Sequence, residues 1–278
     1  MASGSYSETN VRQEGVDEGD TAKTDGTYLY VLKDKSDQIA IIDTRDNRMK
    51  QTATITVEDV SEIQEMYLDI ERNQLIVVCD GYVGGKWNDD DYGYGHRANT
   101  TAVTYDISDR ENPKEVGRVS QSGYYNSSRI ADGYLYLFSD YYVTLGGITA
   151  KNPKSYIPLV NDNLIKETDI CLPSISKADM YSIITSVSLE NPNETAHSKA
   201  LLADGGNLYV SNDNIYFYEN VWQYSGKDVT TIRKVSYESG KLTAGAQCKI
   251  DGYINDSFSI DEYDGYLRVV VTDGDTNS

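Results

Sequence analysis

The sequence has few of the residues on which enzyme chemistry most often depends. It contains only two histidines, His96 and His197, in 278 residues. A Ser-His-Asp triad needs a histidine base beside its nucleophile, and a catalytic zinc ion usually takes two or three histidine ligands. Both classes of site are therefore disfavoured. Of the two histidines, only His96, which lies in an acidic loop, suits a general base.

Cysteines and long hydrophobic runs are also scarce. Cys79, Cys171 and Cys248 show no metal-binding spacing, and an odd number argues against a complete disulfide framework. We expect Cys79 and Cys248 to be buried free thiols in strands. The apolar run at 75–79 is strand-sized, whereas a membrane-spanning helix needs roughly 20 apolar residues, so we predict no membrane insertion.

The amino terminus lacks the apolar core of a signal peptide. Residues 1–5 read Met-Ala-Ser-Gly-Ser, and we interpret them as an artificial leader. A native export signal is then expected to have been removed, and the mature protein to be extracellular or attached to the cell surface.

Positive charge is in short supply, since 44 acidic residues face 25 basic ones and the formal net charge is -19. Such a surface repels phosphate backbones and anionic lipids, so we predict no nucleic-acid partner. Much of the acid lies in turns, where Asp and Asn stabilise the chain reversal. A solvated acidic surface explains most of this charge, and calcium or cationic ligands are the functional alternative.

What the sequence does contain is an imperfect repeat of strand signals. Short segments that alternate apolar and polar residues are broken by a two-residue turn and then resume. A repeat of this length, built from strands, predicts an all-β fold, a β-propeller of four-stranded blades. The five turns are Asp25-Gly26, Arg72-Asn73, Asp132-Gly133, Asn212-Asp213 and Asp264-Gly265.

The repeat predicts about four and a half blades and therefore an incomplete ring. Residues 6–278 form this partial propeller, with blades at about 20–57, 63–120, 126–203 and 207–250 and a half blade at 257–272. Because an open sheet edge is a site for pairing, we expect either a larger parent propeller or self-association through the C-terminal edge.

Excess length falls in two connections, both between the second and third strands of a blade. In a propeller these loops, 81–100 and 141–180, emerge on one face, where binding usually occurs. The first contains Asp89, Asp90 and Asp91, which are candidate ligands for a metal ion such as calcium. It also holds the candidate ligand-binding residues Trp87, Tyr92, Tyr94 and His96. Aromatic rings beside carboxylates suit a carbohydrate, although an insertion without a role has the same composition.

A second acidic cluster precedes the first strand. Asp17, Glu18 and Asp20 offer three carboxylates within four residues, which is enough to hold a hard cation such as calcium. They suit equally well a structural role, in which they cap backbone amides and pin the amino-terminal segment.

Four segments carry a resemblance to a known family. They are TNVRQEGVDEGDTAKTDGTYLYVL (9–32), YDISDRENPKEVGRV (105–119), SRIADGYLYLFS (128–139) and FSIDEYDGYLRVVVT (258–272). Together they resemble predicted secreted bacterial and archaeal proteins with a C-terminal β-propeller domain. The resemblance implies the fold and export but no reaction. Two departures are Gly19, where relatives usually carry Ala, and the end at Ser278, where relatives continue through further blades.

Three functions fit these observations. The first is a non-catalytic binding module of an exported or cell-surface protein, engaging a carbohydrate, peptide or cell-envelope partner through loops 81–100 and 141–180. The second is a calcium-assisted glycan-active hydrolase or lyase with carboxylates at the blade tops. The third is a purely structural spacer. The scarcity of histidine and the absence of a nucleophile motif favour the first.

Overall fold

The structure, a computed structural model, consists of β-strands joined by turns and short 3-10 segments. Within the described ranges no helix has the length and apolar character needed to cross a bilayer. The all-β prediction is confirmed. The described residues are 11–34, 36–45, 49–82, 98–143, 151–172, 179–203, 206–221 and 228–273.

Blade 1 is a four-stranded antiparallel sheet laid down in chain order. Its first hairpin turns at Asp25-Gly26. The Asp25 carboxylate accepts the N–H groups of Thr27 and Tyr28 at 2.9 and 2.7 Å, and Gly26 adopts a φ of 82° that favours glycine. The strands are β1 (Ala22–Thr24), β2 (Tyr28–Leu32), β3 (Gln38–Asp43) and β4 (Lys50–Thr56).

Blades 2 and 3 repeat this order with longer strands. The strands of blade 2 are β5 (Glu62–Asp69), β6 (Gln74–Tyr82), β7 (Ala98–Asp106) and β8 (Lys114–Ser122). Blade 3 begins with β9 (Tyr124–Ala131) and β10 (Tyr134–Tyr142). An insertion follows with β11 (Leu159–Val160), β12 (Asn163–Leu164) and β13 (Ile170–Cys171). The blade ends with β14 (Met180–Ser188) and β15 (Thr195–Ala203).

Blade 4 is complete, and a two-stranded half blade follows it. Within the described strands none pairs with the outer edge of the last one, so the sheets do not close into a ring. The strands of blade 4 are β16 (Asn207–Val210), β17 (Asn214–Val221), β18 (Val229–Glu238) and β19 (Lys241–Asp251). Those of the half blade are β20 (Ile260–Tyr263) and β21 (Tyr266–Val269).

The core lies between blades rather than within them. Ile39 and Ile41 of blade 1 pack against Leu75 and Val103 of blade 2, and comparable clusters join each later pair. Burying one such side chain contributes roughly 1.5–3 kcal/mol. Because each blade buries its apolar face against a neighbour, no blade of this chain has a complete core alone.

The insertion in blade 3 is built into the scaffold. Val160 pairs with Gln121 of β8, so β11 and β12 extend blade 2 outward, whereas Ile170 of β13 pairs in parallel with Ala200 of β15. Val160 and Ile165 are buried in the core between blades 2 and 3. The predicted loop 141–180 is thus, over the described residues 151–172, a layer that covers the outer edges of two blades.

The cysteines differ in their surroundings. Cys79 is buried in β6, and burial raises the pKa of its thiol. Cys171 is half-buried. Cys248 is exposed, so the prediction that it is buried is wrong. The reason is its position on β19, the outer strand of blade 4, which is exposed along most of its length beside the two-stranded half blade.

Candidate functional site

The amino-terminal segment 11–20 crosses the inner edges of several blades. Asp17 exchanges backbone hydrogen bonds with Ile130 of β9 at 2.8 and 3.1 Å, and Asp20 does the same with Met66 of β5 at 3.1 and 2.9 Å. Farther along the inner edge, the Arg12 guanidinium donates to the Ile260 carbonyl at 2.6 Å. The segment therefore ties blade 2, blade 3 and the half blade together at the axis of the propeller.

The predicted acidic cluster has protein partners at this place. Lys23 Nζ lies 3.7 Å from the Asp17 carboxylate and donates to the Glu18 carbonyl at 2.8 Å. The Glu18 carboxylate pairs with Arg129 at 3.2 Å, and Asp20 Oδ1 accepts the Thr21 N–H at 2.7 Å.

These contacts support the structural interpretation of the cluster. Burial raises the pKa of Asp17 despite the nearby Lys23. Across the part of the chain that the structure describes, no three His, Cys, Asp or Glu side chains converge as metal ligands. Calcium binding at Asp17, Glu18 and Asp20 stays a prediction.

The loop residues predicted for ligand and metal binding lie outside the described residues. These are Trp87, Tyr92, Tyr94 and His96 for the ligand and Asp89, Asp90 and Asp91 for the metal. Their predicted roles are untested. The ends of the loop are described: Tyr82 pairs with Ala98, and the connection 83–97 leaves blade 2 from that pair.

Gly19 lies against a buried polar cluster beneath the segment. A Cβ atom at this position would overlap the side chain of Glu65, so the alanine found in the family pattern would require that side chain to move. The Glu65 carboxylate accepts hydrogen bonds from the Tyr67 hydroxyl at 2.9 Å and from Ser128 Oγ. Burial raises the pKa of both Tyr67 and Tyr125 beside it.

The first strand of every blade carries a polar or aromatic residue at the same position, and together these residues form a belt around the axis. The position is defined by strand pairing: in each blade this residue lies opposite the third residue of the second strand. Lys23 Nζ lies 5.7 Å from the ring centroid of Tyr67, and the Tyr209 hydroxyl donates to Asp261 at 3.4 Å. The members of the belt, in blade order, are Lys23, Tyr67, Arg129, Tyr209 and Asp261.

Between Arg129 and Tyr209 of this belt the structure has a central cleft of about 210 Å³, which Arg12, Glu18 and Phe258 also line. The Arg12 guanidinium carbon lies 4.6 Å from the Tyr209 ring centroid and 5.0 Å from that of Phe258. Such cation–π contacts contribute about 0.5–2 kcal/mol. Phe258 remains 82% exposed, so most of its ring is open to solvent.

Half-buried carboxylates also occur at the face where the long connections emerge. Burial raises the pKa of Asp80 and Asp140, which is a common property of functional carboxylates. Here, however, both carboxylates hold the scaffold together. Asp80 accepts the Tyr125 N–H at 2.7 Å, and Asp140 accepts hydrogen bonds from Asn126 Nδ2 at 2.6 Å and Ser182 Oγ at 3.0 Å.

His197 is committed to packing between outer strands. Its Nδ1 accepts the Leu242 N–H at 2.9 Å, which places the ring proton on Nε2 beside Asp169 at 3.2 Å. Lys199 donates to the same carboxylate at 3.2 Å. Although burial opposes them, these two hydrogen bonds lower the pKa of Asp169. Both ring nitrogens are occupied, so this histidine is not available as a base.

Sequence reasoning missed the residues of the central cleft. Arg12, Arg129 and Phe258 are separated by more than a hundred residues, and no local motif joins them. One signal could have found two of the cleft residues. When the blades are aligned on their hairpin turns, Arg129 and Tyr209 fall at the same position of the first strand.

The repeated four-stranded sheets and the cores between them define a β-propeller, which in the described strands is an incomplete one. A family model described as the Beta propeller domain matches residues 6–278, and the chain belongs to that family. It is 23% identical to an uncharacterized protein of Methanocaldococcus jannaschii, over 97% of this chain and 50% of that protein. The chain thus spans about half the length of the curated relative it matches.

The solved structures that match this chain are distant. A functionally unknown protein from Desulfotomaculum acetoxidans has 11% identity and a TM-score of 0.27, over 89% of this chain and 74% of that one. Kuenenia stuttgartiensis hydrazine synthase has 8% identity and a TM-score of 0.29, over 86% and 69%. A B. subtilis levansucrase variant has 8% and 0.31, over 96% and 89%. At these TM-scores nothing is transferred from them to this chain.

Proposed function

We propose that this chain is a non-catalytic binding module of an exported or cell-surface protein. It engages a carbohydrate, peptide or cell-envelope partner through one face of the propeller. One observation carries the proposal: the connections 83–97 and 143–179 leave blades 2 and 3 at equivalent strand pairs, Tyr82 with Ala98 and Tyr142 with Met180. The two connections therefore start from the same face of a rigid scaffold, which is where binding usually occurs. Over 151–172 the second connection packs along the outer edges of blades 2 and 3.

The hydrogen bonds of the described carboxylates and of His197 support binding rather than catalysis. A glycosidase needs two carboxylates that face the scissile bond. Asp80 and Asp140 face neighbouring protein groups instead, and His197 has both ring nitrogens occupied. The alternative function, a calcium-assisted glycan-active enzyme, is tested by the same experiment below.

The experiment combines a glycan and envelope-peptide array with thermal melting of the whole chain in the presence and absence of millimolar calcium. In one variant the connection 83–97 is replaced by a short Gly-Ser linker. A matched control replaces the connection 222–227 of blade 4. We expect array binding that the first replacement abolishes and the second preserves, with both melting temperatures retained.

Three results would contradict the proposal. Binding that survives loss of 83–97 places the site elsewhere. Turnover of a bound glycan, together with a calcium-dependent rise in melting temperature, supports the enzyme and directs attention to the carboxylates at 17–20 and 89–91. Absence of binding to every array supports the structural spacer.

The outer edge of β21, with which no described strand pairs, carries a separate proposal, self-association through strand pairing. Tyr263 and Tyr266 of the half blade are 66% and 74% exposed, so an apolar face accompanies the free edge. Light scattering over a concentration series tests this proposal. A monomer at every concentration would refute it.

A further inference from the structure

We propose that the central cleft at the propeller axis binds a small sugar that carries one carboxylate, a uronic acid. The inner-strand residues of the cleft lie near the hairpin end, because Arg129 is two residues and Tyr209 one residue from the last strand pair before the first turn. Ser257 and Phe258 reach the cleft from the connection between blade 4 and the half blade. None of its lining residues belongs to the connections 83–97 and 143–179, so this inference does not depend on the function proposed above.

Charge is the first argument. Arg12 and Arg129 bring two guanidinium groups to the cleft, and Glu18 brings one carboxylate, which pairs with Arg129. Within the described residues Arg12 forms no ion pair, and its hydrogen-bonded acceptor is the Ile260 carbonyl. The cleft thus holds an excess of positive charge in a chain whose net charge is -19. An arginine without a carboxylate partner presents paired N–H donors that match a carboxylate.

The neighbouring acids limit the ligand to a single negative charge. Asp261 accepts the Tyr209 hydroxyl and pairs with Arg268, and Asp256 caps the short 3-10 segment at Phe258. Neither carboxylate lines the cleft, whose charged residues Arg12, Arg129 and Glu18 sum to one positive charge. A monoanion meets that excess, whereas a doubly charged phosphate is repelled by the acids around it.

Size and shape select a single ring. The volume of about 210 Å³ is below the range of roughly 300–1,000 Å³ that is usual for drug-sized ligands. The Phe258 ring contacts Arg12 on one side and is otherwise exposed. It offers an apolar surface on which the C–H face of a pyranose ring is removed from water. Glu18 and Ser257 also line the cleft and supply polar groups for the hydroxyls.

The test is calorimetric titration of the whole chain at low salt with glucuronate. Glucose, which carries an alcohol in place of the carboxylate, and inorganic phosphate are the comparison ligands. The variants are Phe258→Ala, whose side chain is exposed, and Arg12→Lys, which keeps the charge but loses the paired donors. Arg45→Ala is the control, because Arg45, like Arg12, lies beside an aromatic ring but is in blade 1, away from the cleft.

We expect glucuronate to bind at least about tenfold more tightly than glucose or phosphate, which corresponds to 1.4 kcal/mol. Phe258→Ala and Arg12→Lys should each weaken binding about tenfold or more, since each removes one of the few contacts of a small ligand. Arg45→Ala should bind as the wild type does. Equal binding of glucuronate and glucose, equal binding of phosphate, or unchanged binding by both cleft variants would overturn the proposal.

Discussion

The carboxylate of Asp80 accepts the backbone N–H of Tyr125 at 2.7 Å and so connects the second strand of blade 2 to the first strand of blade 3. Asn220 occupies the equivalent position in blade 4, and its Oδ1 accepts the Ile254 N–H at 3.1 Å on the way to the half blade. The same strand position thus carries a hydrogen bond from one repeat to the next, with a carboxylate in one case and an amide in the other.

Replacing Asp80 tests this connection. Asp80→Ala leaves the Tyr125 N–H without its acceptor and should lower the free energy of unfolding by about 1–3 kcal/mol. Asp80→Asn keeps an oxygen acceptor, as Asn220 does, and should retain most of the stability. Urea denaturation of the three proteins measures the difference. Equal losses in the two variants would show that the hydrogen bond is not what matters.

The pH dependence of stability tests the burial of Asp140. Burial raises its pKa above the ordinary 3.8, against the hydrogen bonds from Asn126 and Ser182. Because the pKa is higher in the folded state, its contribution to stability is fully present below the unfolded pKa and is lost as the pH rises through the folded pKa.

In the Asp140→Asn variant the side chain at position 140 is uncharged at every pH, so the variant does not lose this contribution to stability as the pH rises. The stability of the variant minus that of the wild type should therefore increase as the pH rises from about 4 toward 7, since Asp normally titrates near the lower limit. Denaturation curves at several pH values provide the comparison. A difference that does not change with pH would mean that the carboxylate is not perturbed.

Gly19 tests the fit between the amino-terminal segment and blade 2. Gly19→Ala places a methyl group on the Glu65 side chain, which Tyr67 and Ser128 hold in place, and should cost about 1–3 kcal/mol of stability. In a Glu65→Ala background the overlap disappears, so Gly19→Ala should then lower the stability only slightly. Additive effects in this double-mutant cycle would indicate that the two residues are not in contact.

Thiol reactivity tests the exposure of the cysteines. In the native protein Cys248 should react fastest with a thiol reagent, while Cys79 should react only after unfolding, because it is buried and its thiolate is disfavoured. Half-buried Cys171 should be intermediate. The Cys248→Ser variant should lose the fast phase alone. A fast phase that persists in this variant would contradict the described surface of β19.

Much of the fold was predictable, because strands and tight hairpins are local. The alternation in β2 and the turn Asp25-Gly26 lie within a few residues of each other, and their period and turn chemistry need no distant partner. The same holds for the repeats at Asp132-Gly133 and Asp264-Gly265. Aligning these turns was enough to predict which connections share a face.

The amino-acid sequence by itself determined the all-β repeat, its turns and the acidic surface, since each depends on neighbours along the chain. Tertiary structure decided the rest. It placed Arg12 against Tyr209 and Phe258, put short strands from 151–172 on the outer edges of two blades, and exposed Cys248. Each of these depends on how distant blades pack, and contacts across a hundred or more residues leave no periodic trace in the sequence.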